Sequence, residues 1–308
     1  MGIGLADLNG DSFPDIYISN IVVMNKDEKY VNPDADTPMK FDPEKLANMR
    51  VVEANDLFVS QTSGKKLKGY ELSENVGRGY SSTGWSWFAD FLDMDNDGDD
   101  DLYVVNGVNP YYVYSSLNPY YADPDGVKRD VVLPTDDKGN VLFENVGGKL
   151  RNVSEESGVD YPGISRSVAF ADFDGDGDLD MVLNNLQEKA VVYQNATADK
   201  NGWLHIRLVG DPAMKSTRDA IGAKIIVTSD GGIRGWREVH STSGYLSAHP
   251  KEQHFGLGGG GKALVTVIWP NGGREEFENV EANTRYVLVQ GEGKLVAEEP
   301  CKSPSAQE

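Results

Sequence analysis

The chain lacks most of what reactive or membrane-crossing proteins depend on. It has one cysteine, Cys301, set in a polar stretch near its end, so no intrachain disulfide can form. Its histidines are His205, His240, His249 and His254, and none forms an HExxH pair, which leaves no zinc signature. No serine occupies a GxSxG elbow, and Ala263 follows Lys262 where a phosphate-binding loop needs Ser or Thr. No apolar run reaches the ~18 residues that a membrane-spanning helix needs. Positive charge is scarce: 29 Lys and Arg against 49 Asp and Glu give a net −20, which nucleic-acid phosphates would repel. Helical periodicity is missing from every long stretch. With 34 Gly and 14 Pro between short apolar runs, the expected class is all-β.

What the chain does have is aspartate in a fixed pattern. Asp172–Asp180 reads DFDGDGDLD, with Asp at positions one, three, five and nine and Gly at position six. Asp93–Asp101 (DMDNDGDDD) repeats that pattern in full, and Asp7–Asp15 (DLNGDSFPD) repeats it with Asn9 at position three and Ser12 at position six. Calcium is a hard cation that takes about 6–8 oxygen ligands, which a short loop can supply if alternate side chains turn inward and a glycine reverses the backbone. The spacing predicts ligands Asp7, Asn9, Asp11, the Phe13 carbonyl and Asp15 in loop one. In loop two it predicts Asp93, Asp95, Asp97, the Asp99 carbonyl and Asp101. In loop three the same roles fall to Asp172, Asp174, Asp176, the Asp178 carbonyl and Asp180. Solvated acidic turns would have the same residue types. Packing so many carboxylates into nine residues creates a repulsion that a solvated turn has no need to accept and that a bound divalent ion would relieve, and three copies favour up to three Ca²⁺.

An EF-hand is excluded, because its twelfth loop position needs Glu and here carries Ile18, Val104 and Leu183. The flanks are short, β-rich runs such as SWFADFL and LYVVN, so the motif is strand–loop–strand. A second pattern, LF-x-N, recurs as Leu57–Ser60, Leu142–Asn145 and Val192–Asn195. The expected unit is an LF-x-N strand, a turn, a variable strand, then strand–loop–strand. Inserts near 22–55 and 107–140 interrupt it, the first with a short helix expected in FDPEKLANMRVVE. The second carries Tyr111, Tyr112, Tyr114, Tyr120 and Tyr121, expected to pack the insert on itself or to make contacts. Repeated β units at this period indicate a propeller.

These loops and strands resemble FG-GAP/VCBS repeats, the calcium-loop blades of integrin-like propellers. The resemblance covers residues 1–195 and implies a partial β-propeller. With two fairly complete units and two partial ones, further blades are expected ahead of Met1, together with any secretion signal. Residues 196–296 read differently, as about six short strands with hairpin turns at Asp230–Gly232 and Asn271–Gly273, the pattern of a small β-sandwich. Asn201–Leu204, Ile221–Ala223, Ser243–Ser247, His254–Gly258 and Trp269–Gly272 resemble the ASPIC/UnbV domain, although Ala248 stands where that family often has Gln. Residues 297–308 are expected to be a disordered tail.

The resemblance implies a non-enzymatic, calcium-dependent adhesion, recognition or scaffolding module, secreted or at the cell surface, with a protein or glycan ligand. Nucleic acid and a membrane span are not expected. The alternatives are a carbohydrate-active enzyme, or a subunit of one, with a pocket formed by the inserts, and a propeller that only spaces a partner-docking second domain. His254 is expected to be a structural, hydrogen-bonded residue, and Trp85, Trp87, Trp203, Trp236 and Trp269 core residues.

Overall fold

The computed structural model describes residues 2–20, 55–73, 83–107, 139–197 and 201–298. The helix expected near 41–53, the five tyrosines and nearly all of the expected tail lie outside the described residues. Three blades come first. Strands β1 (Ile3–Ala6), β2 (Asp15–Ile18), β3 (Asp56–Ser63) and β4 (Lys66–Leu72) form one antiparallel sheet in chain order. Strands β5 (Ser86–Leu92), β6 (Asp101–Asn106), β7 (Val141–Asn145) and β8 (Leu150–Asn152) repeat it. A three-stranded blade follows, β9 (Ser165–Ala171), β10 (Asp180–Asn185) and β11 (Val191–Tyr193).

Each acidic loop joins the first and second strands of its blade, and the LF-x-N strand is the third. The unit expected from the sequence is therefore shifted: LF-x-N follows the loop within one sheet rather than opening it. The inserts fall inside blades, between second and third strands. Sequence order alone could not show this, because a repeat can be cut at any strand.

Strand β6 shows why the blades stack. Alternate side chains leave a strand on opposite faces, and all six residues of DLYVVN are buried. Leu102 and Val104 pack with Tyr17 and Leu57 of the first blade. Tyr103 and Val105 pack with Val168, Phe170, Met181 and Leu183 of the third. A layer of core thus lies between consecutive blades, as in a propeller. Buried asparagines tie the blade ends away from the acidic loops. Asn106 accepts from Ser86 Oγ at 2.8 Å and donates from Nδ2 to the Thr83 and Gly139 carbonyls, both at 2.8 Å.

After the blades come β12 (Gly202–Val209), β13 (Lys224–Ser229), β14 (Arg234–Glu238) and β15 (Gln253–Gly258). Then follow β16 (Lys262–Ile268), β17 (Arg274–Glu281), β18 (Thr284–Val289) and β19 (Leu295–Glu298). One sheet runs β15-β12-β18-β19, with β12 and β18 parallel, and the other β14-β13-β16-β17. Leu204, Ile206 and Leu257 from the first and Ile225, Val227, Val265 and Val267 from the second share one core, which makes a β-sandwich. There are eight strands rather than six. The last runs two residues past the expected boundary at 296, where Glu298 pairs with Arg285.

Candidate metal loops and the face that covers them

The three loops close on themselves in the same way. The position-six N–H donates to the position-one carboxylate: Ser12 to Asp7 Oδ2 at 2.8 Å, Gly98 to Asp93 Oδ2 at 3.0 Å, Gly177 to Asp172 Oδ2 at 3.0 Å. The position-three side chain accepts from the position-five N–H at 3.1, 3.3 and 3.2 Å in loops one to three. Position five accepts likewise from position seven at 2.9, 2.8 and 3.0 Å. These side-chain turns are the local chemistry of Asx residues. Two positions per loop need φ above zero. Position six is Ser12 at 73°, Gly98 at 91° and Gly177 at 103°; position four is Gly10 at 71°, Asn96 at 59° and Gly175 at 84°. The sequence reading missed position four. The signal was there, since Gly and Asn are the residues that tolerate this conformation.

The position-nine carboxylates do a second job. One oxygen of Asp15, Asp101 and Asp180 accepts from the position-two N–H of its own loop at 2.8, 2.9 and 2.8 Å. The other accepts from Ser60, Asn145 or Asn195 at 2.7, 2.8 and 2.8 Å, the last residue of each LF-x-N stretch. The two sequence patterns are thus one device, in which the loop's final aspartate pins the third strand beside it.

Among the described residues, two acidic groups converge closely. Ligand oxygens of Asp93, Asp95 and Asp101 lie within 4.8 Å of one another, as do those of Asp172, Asp174 and Asp176. Such clusters can hold a metal ion. Asp97 and Asp180 stand outside these groupings, and Asp7, Asp11 and Asp15 of loop one make no such group. There Asn9 Nδ2 and Ser60 Oγ donate to Asp11 Oδ2 at 3.3 and 2.8 Å, so neutral donors occupy the oxygen. Loop two is the most deeply set. Burial and the nearby Asp100 push Asp93 well above the usual carboxylate range, and burial lifts Asp101 to about 9 and Asp97 to about 6. In loop three, burial and the adjacent Asp178 and Asp174 raise Asp176 to about 6. Among the described residues Asp93 Oδ1 is buried with no hydrogen-bond partner, which leaves its lone pairs open to a cation.

The sandwich lies on loops two and three. Gly256 N–H donates to Asp93 Oδ2 at 3.1 Å, and Gly258 N–H to the Asn96 carbonyl at 2.8 Å. Arg285 Nη2 sits 2.9 Å from Asp172 Oδ2, whose side chain is fully buried, and Arg237 makes a two-pronged pair with Asp100. His205 links Glu252 at 3.0 Å to the Gly177 carbonyl at 3.3 Å. Further along, Ser247 Oγ donates to the Val168 carbonyl at 2.6 Å, and His249 accepts from Phe170 N–H at 3.1 Å. None of these sandwich residues was assigned to the site from sequence. His254 is buried beside His205 and close to the Gly177 backbone of loop three, and burial holds its pKa well below the usual value. Of the tryptophans only Trp269 is a fully buried core residue; Trp203 lies against Gly177 of loop three.

Residues 125–183 match the family described as FG-GAP-like repeat, and residues 213–295 the family described as ASPIC and UnbV. Cartilage acidic protein 1 of Xenopus tropicalis is 34% identical over 107 residues, 34% of this chain and 16% of that protein. The Homo sapiens protein of the same name is 33% identical over 104 residues, 33% of this chain and 15% of that one. The chain therefore corresponds to a small part of the curated relatives it matches. A solved structure of a candidate cell adhesion protein from Bacteroides ovatus aligns with 57% of this chain and 82% of its own, at 13% identity. Its TM-score of 0.20 is too low to inform the fold.

Proposed function

We propose that the chain is a calcium-binding, non-enzymatic recognition or scaffolding module that works outside the cell. The observation that carries this is the convergence of Asp93, Asp95 and Asp101, and of Asp172, Asp174 and Asp176, in loops of one recurring geometry. The donors are oxygens alone, with no cysteine or histidine in either group, which suits a hard divalent cation. Asp97, the Asp99 carbonyl, Asp180 and the Asp178 carbonyl complete the ligand sets, and loop one, with Asp7, Asn9, Asp11, the Phe13 carbonyl and Asp15, is the weakest of the three. The cation neutralises the clustered carboxylates and so fixes the connection between first and second strands of each blade. Exteriors rich in calcium favour such sites. The ligand would be a protein or a glycan.

Calcium titration by calorimetry, paired with thermal melts, tests this. Binding heat is expected, with a melting temperature that falls in EDTA and returns with Ca²⁺. Stabilisation of about 2.7 kcal/mol is expected at ~100 times the Kd. A chain that gives neither heat nor shift is not a calcium protein.

A further inference from the structure

Loops two and three are gripped from two sides, and loop one is not. In loop two, Asp93 Oδ2 serves its own Gly98 N–H at 3.0 Å and Gly256 N–H of the sandwich at 3.1 Å. Asn201 Nδ2 donates to the Asp95 carbonyl at 2.8 Å, and Gly258 to that of Asn96. In loop three, Asp172 Oδ2 serves Gly177 N–H at 3.0 Å and faces Arg285 at 2.9 Å and His205 at 3.7 Å. The position-six glycines are pressed by sandwich side chains as well. A Cβ on Gly98 would collide with Ile233, and one on Gly177 would fall on the Trp203 indole. Loop one meets the sandwich through a hydrogen bond from Arg234 to Ser12 Oγ, and its position six carries a side chain.

We propose that the sandwich forms part of the cation sites of loops two and three, so that its docking and their occupancy are one linked equilibrium, while loop one binds independently. This deepens the calcium reading and rests on it. With no cation, the ionised carboxylates of a closed loop repel one another and the loop opens more readily, which moves Asp93, Asn96, Asp172 and Gly177 away from their sandwich partners. A docked sandwich holds the loop closed and removes part of the ordering cost that binding must meet. Coupling of this kind is reciprocal: the factor by which the ion favours docking is the factor by which docking favours the ion, typically about 5–150. Each loop has one arginine from the sandwich beside it, Arg285 on Asp172 and Arg237 on Asp100 next to Asp93.

The test uses the full chain and two variants that reach one loop each from the sandwich side. Gly256→Val places a side chain on Asp93 and Asn96; Trp203→Ala removes the indole that covers Gly177. Calorimetric calcium titration should show the sites of loops two and three both weakened by about tenfold in each variant, with the site of loop one unchanged. X-ray scattering should show the radius of gyration of the unaltered chain rising in EDTA and falling again with calcium. Far-UV circular dichroism identifies any variant that has unfolded, and Trp203→Ala, which inserts nothing, carries the test if Gly256→Val fails to fold. Unchanged affinities at every site in the folded variants, or a sandwich that stays docked in EDTA, overturn the coupling alone. No calcium uptake by the unaltered chain overturns the calcium reading itself.

Discussion

Ser12 holds a left-handed backbone (φ 73°) where the other two loops have glycine. A side chain in that region costs about 1–2 kcal/mol, and the protein already bears the cost at Ser12. Ser12→Ala is therefore expected to change stability by less than about 1 kcal/mol in urea melts. Gly177→Ala meets both penalties, a left-handed turn at φ 103° and collision with Trp203, and should lose about 3 kcal/mol. Similar losses at the two positions would show that the sandwich does not press on loop three. At the other end of the blades, Asn106 is almost wholly buried and its side chain joins Ser86, Thr83 and Gly139. Asn106→Ala strands these partners without water and should cost about 3 kcal/mol. A loss below about 1 kcal/mol would mean that the blades are not locked there.

At the scale of strands, a blade's middle strands are expensive to alter on both faces and its outer strand is not. Leu102 of β6 is fully buried between blades, whereas Val192 of β11 is 65% exposed. Leu102→Ala should lose about 3 kcal/mol and Val192→Ala about 0.5 or less, read from denaturant midpoints at constant m. Equal losses would argue against a core between blades. Strands of this kind were legible in the sequence because period-two burial and the acidic nonapeptide sit in one short window. The LF-x-N strand was legible too, as Leu57, Leu142 and Val192 repeat it, but its place in the sheet was not. Pairing of β3 with β2, and of β7 with β6, is across inserts, and nothing local records it. The cover over the loops was invisible for the same reason. Gly256 meets Asp93 across 163 positions, and Arg285 meets Asp172 across 113. Gly256 and Arg285 look ordinary in their own strands; only the packed molecule shows what they touch.

For the whole molecule, the acidic balance of −20 and the buried loops make stability depend on pH and calcium together. Without calcium, Asp101 holds its proton up to about 9 and Asp97 to about 6 because both are buried, while in the unfolded chain such groups ionise near 4. The folded state then binds more protons than the unfolded one, so stability falls as pH rises from about 4 to 9, with Asp97 contributing only up to about 6. His254 pulls the other way, but only below about pH 6.5. Buried and neutral when folded, it stabilises above its ordinary value of 6.5 and loses that contribution as pH drops below it. Between pH 6.5 and 9 the carboxylates alone set the slope. Calcium binds the ionised form, which removes the protons from the folded state and leaves no difference for pH to act on over that range. Thermal melts in EDTA should therefore show a melting temperature that declines from pH 6.5 to 9, and melts in saturating calcium a nearly level one. The gap between the two curves should widen with pH. Parallel curves would mean that the aspartates of loop two are not where calcium stabilises the fold. A gap that widens in the unaltered chain but stays constant in Asp101→Asn would assign the effect to that loop.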